Sequence, residues 1–153
     1  MPTLLQRITG QPFFQGLKAE HLRVLTDHAM QIQFATGSVI FRAGDPANRF
    51  YLIESGKVTV ELERKDREPI MVQTLGPGRE LGWSWILPPY YEHFTVRVLE
   101  PTLAIFFYGT RLRAQCDENH DLGYALMSRM AVVMLHRIEA ASKSLLECRV
   151  ESS

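Results

Sequence analysis

The chain has 153 residues, of which 22% are charged and 46% are hydrophobic, and its 17 basic residues balance its 17 acidic ones. This length suits one domain with a sizeable core, and zero net charge provides no overall basic field for nucleic acid binding. No run of about eighteen apolar residues occurs and no signal peptide is evident, so we expect a cytoplasmic protein without a membrane span. The two cysteines, Cys116 and Cys148, fit a reduced compartment without disulfides.

The first two thirds of the chain change from a helical to a strand-like pattern. Apolar residues at helical spacing indicate a helical segment over 1–29, and a period of two with recurrent glycines indicates a β-barrel over 30–109. The strand candidates span 38–42, 50–54, 57–63, 70–75, 95–99 and 103–107. Short strands at close, regular spacing favour an antiparallel jelly roll. We therefore predict an α+β, mainly β fold: a double-stranded β-helix (jelly-roll barrel) with short N-terminal helices and a long C-terminal helix.

Residues 110–150 return to a helical pattern, first in TRLRAQC and then, after the polar joint DENHD, in a long segment without proline. An Asp or Asn in the joint is expected to cap the second helix. One apolar stripe recurs every three or four positions: Leu126, Met130, Met134, Ile138, Ala141 and Leu145. The stripe exceeds what a small barrel can cover, so we expect a homodimer through residues 122–146; the alternative is a helix that packs wholly against its own barrel. We treat residues 1–153 as a single domain.

The first half of the predicted barrel reads FATGSVIFRAGDPANRFYLIESGKVTVEL. This resembles the opening of the cyclic nucleotide-binding domain family, the sensor module of catabolite-activator-type regulators, whose pattern is G-x-x-I-F-x-x-G-D followed by F-Y-x-I-x-x-G-x-V-x-V. The resemblance extends from about residue 13 into the long helix. The matching residues are Gly37, Ile40, Phe41, Gly44, Asp45, Phe50, Tyr51, Ile53, Gly56, Val58 and Val60. The glycines fall where strands are expected to turn, and Asp45 can accept backbone N–H bonds within its turn.

In that family, the loop corresponding to residues 82–96, GWSWILPPYYEHFTV, is a phosphate-binding cassette of the form G-E-x-A-L…P-R-x-A-T-V. The resemblance implies a short helix whose backbone amides meet the cyclic phosphate, with an arginine that pairs with its charge and a glutamate that binds the ribose. The positions that match are Gly82, Leu87, Thr95 and Val96. The ligand-binding positions differ, because Trp83 stands at the glutamate position and Glu92 at the arginine position.

Both differences disfavour a cyclic nucleotide in the usual mode, so we expect no cofactor. An anion in place of a cation removes an attraction and adds a repulsion, each of about 4 kcal/mol at roughly 4 Å in an effective dielectric of roughly 20. The indole of Trp83 only donates and is larger than a carboxylate, so it should fill the ribose space. Candidate residues for a ligand pocket are Leu81, Gly82, Trp83, Ser84, Glu92, His93, Phe94 and Thr95.

Two interpretations of this loop stay open on sequence alone. The aromatic residues can line an altered pocket for an aromatic, cationic or peptide-like ligand, or they can plug an obsolete one. Packing is favoured for Trp85 and Ile86, whereas neither interpretation is favoured for Trp83, Glu92 or His93. An anion could still find a donor, for which the candidates are His93, Arg79, Arg97 and Arg129.

No catalytic or metal-binding constellation is evident in the sequence. Jelly-roll metal enzymes use several histidines inside the barrel, and here only His93 of five lies near it. Cys116 and His120, with their acidic neighbours, are interpreted as belonging to a helix cap. We therefore predict no metal and no enzyme.

The function predicted from these observations is a non-catalytic regulatory or sensor module that acts by dimerising or by binding a regulatory protein. The alternative is a small-molecule sensor that binds a cyclic nucleotide or another ligand through a rearranged cassette. Neutral charge, and the lack of room for a helix-turn-helix between the long helix and Ser153, predict no direct nucleic acid binding.

Overall fold

The computed structural model describes the backbone of residues 2–152 and the side chains of residues 2–147. Helices α1 (Leu4–Thr9) and α2 (Ala19–Asp27) flank a 3₁₀ turn, Pro12–Phe14. The strands that follow are β1 (Ala29–Phe34), β2 (Val39–Phe41), β3 (Arg49–Arg64), β4 (Arg67–Leu75), β5 (Glu80–Leu81) and β6 (Thr95–Tyr108). A second 3₁₀ turn, Trp83–Ile86, separates β5 from β6, and helices α3 (Gly109–Glu118) and α4 (His120–Ser152) complete the described chain.

All six strands belong to one antiparallel sheet. Its order is β1-β6-β3-β4, with β2 also paired to β6 and β5 paired to β3. Short helices precede the sheet and a long helix follows it, so the predicted mainly β jelly-roll class is confirmed. The strand boundaries differ from the prediction, however. The candidates 50–54 and 57–63 are one strand, β3, the candidates 95–99 and 103–107 are one strand, β6, and the prediction omitted β1 and β5.

Gly56 explains why the sequence suggested two strands where the structure has one. Its φ of 101° lies in the middle of β3, and the β3–β6 register shifts between Ser55 and Lys57. A Cβ built at Gly56 would lie 2.4 Å from Thr102 Oγ1 and 2.6 Å from the Pro101 carbonyl oxygen. The glycine therefore forms a bulge at which β3 bends closely over β6, and the prediction that a strand ends there is wrong.

The central strands are buried on both faces, which divides the core in two. Alternate residues of β3 and β6 face the helices (Phe50, Leu52, Ile105 and Phe107) or the barrel interior (Tyr51, Ile53, Ala104 and Phe106). Because successive strand residues point to opposite faces, the continuous apolar run FYLI supplies both cores at once. No helix in the described part of the chain is long and apolar enough to cross a bilayer.

Helix α4 packs on the barrel through a stripe that only partly overlaps the predicted one. Its buried face comprises Leu122, Leu126, Met130 and Val133, which join the core on the helix side of the sheet. Met130 is fully buried whereas Ile138 is 62% exposed, so the predicted stripe does not form one surface, and Leu126 and Met130 cannot contact a second copy. The expected cap is present, because the Leu122 amide donates to Asn119 Oδ1 at 3.2 Å.

The bulge at Gly56 predicts how strongly two glycine substitutions in the barrel reduce the free energy of unfolding. Gly56→Ala should destabilise the protein by about 3 kcal/mol or more, because backbone strain adds to a clash with the backbone of β6. Gly37 provides the matched control: its φ is 86°, but nothing lies within 4 Å of its Cβ position. Gly37→Ala should therefore cost only about 1 kcal/mol. Urea unfolding measures both, and equal losses would contradict the close approach at Gly56.

Candidate functional site

The loop predicted to correspond to a phosphate-binding cassette begins at a glycine that the fold requires. Gly82 adopts φ 89° and ψ 47°, and a Cβ there would lie 2.4 Å from the Arg49 carbonyl oxygen at the start of β3. The four residues that follow, Trp83–Ile86, form only a 3₁₀ turn. The loop thus retains a short helical segment next to the barrel, but that segment is a single turn.

The end of the loop is held against the turn that joins β2 to β3. The Gly44 amide donates to the Glu92 carbonyl at 2.8 Å, and the Glu92 amide donates to the Asp45 carbonyl at 2.9 Å. The Ala47 amide donates to the Tyr90 carbonyl at 2.7 Å. Asp45 also accepts a bond from the Arg42 amide at 2.9 Å, as predicted for this turn. The backbone around Glu92 is therefore fixed, and its side chain extends from a defined position.

Aromatic side chains close the mouth of the barrel. The Trp83 indole stacks on the His93 imidazole with a centroid separation of 5.0 Å and an interplanar angle of 15°. Ser84 Oγ and His93 Nδ1 share a hydrogen bond of 3.1 Å, which orients the imidazole. Trp85 is buried against Phe50 and Ile86 is half-buried beside it, so both pack in the core as the sequence predicted.

Very little space is left in the barrel beneath this aromatic cover. The remaining cavity has a volume of about 10 Å³, roughly that needed by one water molecule. It is lined by Phe41, Val60, Leu81, Gly82, Trp83, Glu92, Phe94, Val96 and Arg137. This volume is far smaller than that of a typical small-molecule pocket.

The structure brings together most of the eight residues predicted from the sequence. Five of them line the cavity: Leu81, Gly82, Trp83, Glu92 and Phe94. His93 stacks on Trp83 and shares a hydrogen bond with Ser84, so these two residues lie next to the lining. Thr95 is the exception. Its hydroxyl accepts from the Ala43 amide at 3.1 Å and donates to Glu63 Oε1 at 2.6 Å, so it ties β6 to neighbouring segments instead of lining the cavity.

Arg137 of α4 lines the cavity and was not predicted from the sequence. Its guanidinium is buried and donates to Gln73 Oε1 at 2.5 Å and to the Glu80 carbonyl at 3.1 Å. Burial lowers its pKa to about 10, and the nearby Glu80 carboxyl opposes that change. Arg137 lies four residues after the buried Val133 on the same face of α4, and only the structure shows that this face meets the barrel.

The three arginines that the sequence offered as candidate donors to an anion make contacts elsewhere. Arg97 Nε donates to Glu61 at 3.4 Å, and Arg79 Nε lies 3.7 Å from Glu80. Arg129 donates to the carbonyl oxygens of Phe13 and Gln15 at 2.9 and 2.6 Å. None of the three is among the residues that line the small cavity.

Glu92 is buried, and this changes the electrostatic argument made from the sequence. Burial raises its pKa to about 8, with a further contribution from the charge of Asp45. The carboxyl is then mostly protonated at pH 7, so the repulsion expected from a full negative charge is overestimated. Whatever the charge of Glu92, the lining side chains leave little free volume in the barrel.

The side chains near the loop offer little for catalysis. Among the described residues, no group of three or more His, Cys, Asp or Glu side chains can hold a metal ion. Burial raises the pKa of the Cys116 thiol to about 11, which disfavours the nucleophilic thiolate at neutral pH.

Comparison with known proteins identifies the family to which this fold is similar. Residues 31–119 match the family model for the cyclic nucleotide-binding domain. A CRP-like cAMP-activated global transcriptional regulator of Mycobacterium tuberculosis is 30% identical over 118 residues, which are 77% of this chain and 53% of the regulator. The acetyltransferase Pat of Mycolicibacterium smegmatis is 34% identical over 91 residues, 60% of this chain and 27% of the enzyme. The chain thus spans about half, or less, of these relatives.

Solved structures share the fold. A candidate cyclic nucleotide-binding protein from Geobacter metallireducens GS-15 superposes with a TM-score of 0.79 at 28% identity, over 90% of this chain and 99% of that one. The regulatory subunit of a cAMP-independent protein kinase A from Trypanosoma brucei gives a TM-score of 0.68 at 22% identity, over 78% of this chain and 44% of that one. The barrel, the modified cassette loop and the match over residues 31–119 lead to one conclusion: this chain belongs to the cyclic nucleotide-binding domain family.

Proposed function

We propose that this chain is a non-catalytic regulatory module that keeps the fold of a cyclic nucleotide sensor, does not bind cyclic AMP in the usual mode, and acts by pairing with a second copy through α4. The observation that carries the proposal is the filled barrel, in which only about 10 Å³ is left between Trp83, Phe94 and their neighbours. A nucleotide needs several hundred cubic ångströms, as small-molecule pockets generally do.

Similarity to a cAMP-activated regulator does not outweigh this geometry. The Mycobacterium tuberculosis relative is described as cAMP-activated, but the similarity covers 53% of its length at 30% identity. The same fold also occurs in the regulatory subunit of a kinase described as cAMP-independent. The fold is therefore compatible with both cAMP-dependent and cAMP-independent proteins, so the response to cyclic AMP depends on the residues in the pocket.

The proposed dimer uses an exposed apolar face of α4, defined here as Tyr124, Met127, Leu135, Ile138 and Leu145. These residues recur at intervals that keep them on one side of the helix, away from the buried stripe that contains Met130. The helix has 33 residues and is therefore about 50 Å long, which extends the face well along a partner. A second copy of α4 would bury the same side chains on both helices, as a two-fold interface requires.

A non-catalytic role is consistent with the short part of the enzyme relative that this chain resembles. The chain spans 27% of the acetyltransferase Pat, so the similarity covers a minor part of that enzyme. Near the loop, the thiol of Cys116 has a raised pKa and is poorly suited to be a nucleophile. We therefore propose that the chain regulates and does not catalyse.

Calorimetry with cyclic AMP tests the filled pocket. We expect no binding by the wild type at about 1 mM ligand, which corresponds to less than about 4 kcal/mol of binding free energy. The double change Trp83→Glu with Glu92→Arg should bind measurably, because it removes the indole and introduces a donor for the phosphate. Glu92→Arg alone should gain less, and the two effects should not add, because both residues line the same cavity.

Either of two results would contradict this part of the proposal. Micromolar binding by the wild type would mean that Trp83 and Phe94 move aside readily. A folded double variant that still fails to bind would mean that residues 82–96 do not occupy the family's ligand positions.

Light scattering tests the dimer. The wild type should be dimeric at tens of micromolar, and Leu135→Glu with Ile138→Glu should give folded monomers, because both side chains are more than half exposed in the single chain. Val132→Glu is the matched control: Val132 is 52% exposed but lies on a different side of α4. A monomeric wild type, or equal dissociation by the control, would overturn this interface.

A further inference from the structure

The Glu92 carboxyl is a buried ionisable group with no described partner. Its residue is 5% exposed, and none of the side chains described forms a hydrogen bond or ion pair with it. Arg137, which is equally buried, donates to both Gln73 and Glu80. A carboxyl in a buried residue without a partner costs the folded state free energy, although the Glu92 oxygens are not wholly enclosed.

A second cavity lies against Glu92 and shares Phe41 and Glu92 with the filled space beneath Trp83. Its volume is about 240 Å³, and the turn from β2 to β3 forms its other walls. The lining residues are Ile40, Phe41, Asp45, Pro46, Asn48, Arg49 and Glu92. The cavity therefore has a mostly apolar wall on one side, a buried carboxyl at its base and exposed polar groups at its rim.

Two carboxyl groups, those of Asp45 and Glu92, and one guanidinium, that of Arg49, surround this cavity. After burial, the charge of Asp45 is the second factor that disfavours ionisation of Glu92. Arg49, at the rim, acts on the neighbouring Tyr51, where its guanidinium opposes the rise that burial causes in the pKa of the phenol. A positive group placed between Asp45 and Glu92 would relieve their repulsion and supply the partner that the buried carboxyl lacks.

Backbone hydrogen bonds set the positions of Asp45 and Glu92 before any ligand arrives. The reciprocal bonds between residues 44–47 and 90–92, at 2.7 to 2.9 Å, fix the turn against the loop. The Arg42 amide bonds Asp45 Oδ2 and leaves Oδ1 available at the rim. Such preorganisation reduces the entropy lost when a ligand binds.

We propose that the cavity between the β2–β3 turn and Glu92 binds a small organic cation, a primary ammonium on a short apolar chain, with Glu92 as the buried counter-ion and Asp45 at the rim. The apolar chain packs against Ile40 and Phe41. Trp83 and Phe94 do not line this site, although Phe41 and Glu92 line both it and the space that those two side chains fill.

Binding at this site is coupled to proton release. The pKa of Glu92 is about 8 in the free protein, so at neutral pH an ammonium must displace the proton of the carboxyl before it can pair with it. Below that pKa, the affinity should therefore increase about tenfold for each unit by which the pH rises. Above it, the affinity should level off, as long as the alkylammonium itself stays charged.

The probe is n-butylammonium, measured by isothermal titration calorimetry at pH 6.5 and 8.5 in pairs of buffers with different ionisation enthalpies. We expect binding at pH 8.5, roughly 20-fold weaker binding at pH 6.5, and a buffer-dependent heat at pH 6.5 that reports proton release. The neutral 1-butanol and the anionic butyrate should not bind. No binding of butylammonium at pH 8.5, or equal binding of butanol, would overturn the proposal.

Variants locate the site. Glu92→Gln keeps the shape of the side chain, removes its charge and should abolish binding; Asp45→Asn should weaken binding several-fold and retain the pH dependence. Glu20→Gln, which changes an exposed carboxyl on α2, is the matched control and should bind as the wild type does. Retained butylammonium binding by Glu92→Gln would overturn the proposal.

Stability against pH tests the unpartnered carboxyl without any ligand. The folded pKa of about 8 exceeds the ordinary value of 4.5, so between these values the native state holds a proton that the unfolded state has lost. Wild-type stability to urea should therefore decrease as the pH rises from 4.5 to 8, and the Glu92→Gln variant should show a smaller decrease. Equal pH profiles for the two proteins would mean that Glu92 already has a partner, which would overturn the proposal.

Discussion

The pairing of β3 with β6 is the constraint on which the rest of the structure depends. These strands are 16 and 14 residues long, lie side by side in the middle of the sheet, and are buried on both faces. They bend together where Gly56 meets Pro101 and Thr102. The start of β3 supplies the Arg49 carbonyl under Gly82, and the ends of β6 define where the cassette loop ends and where α3 begins. The loop can therefore change its side chains while its backbone stays in place.

The barrel interior shows two ways to bury a charge. Arg137 enters from α4 and meets Gln73 and the Glu80 carbonyl, so its charge is retained. Glu92 meets no described donor, and its proton is retained instead, as the pKa of about 8 indicates. The charge repulsion expected from the sequence is therefore reduced, and the Trp83–His93 stack and Phe94 occupy most of the volume at this end of the barrel. The identity of a residue as arginine or glutamate does not by itself show whether it is buried with its charge or in its neutral form.

For the fold, local patterns were sufficient to identify the class and the order of elements. Residues 34–62 carry the family's spacing of glycines and apolar residues, and residues 110–150 carry a helical period. Strand boundaries were less accessible. Gly56 has the local appearance of a turn, and only its contact with β6 shows that it is a bulge within a continuous strand. Likewise, the side of α4 that meets the barrel depends on the docking angle of the helix, which is why Met130 was assigned to the wrong surface.

By itself, the sequence determined that this is a cyclic nucleotide-binding fold and that Trp83 and Glu92 replace the family's ligand residues. Those conclusions follow from residue identity and spacing, which are local properties of the chain. Only the tertiary structure decided that Trp83 and Phe94 fill the barrel, that Arg137 reaches it from 45 residues beyond Glu92, and that Glu92 is buried and protonated. Volume, solvent exposure and pKa depend on atoms brought together from distant segments, and such contacts leave no periodic signal in a single sequence.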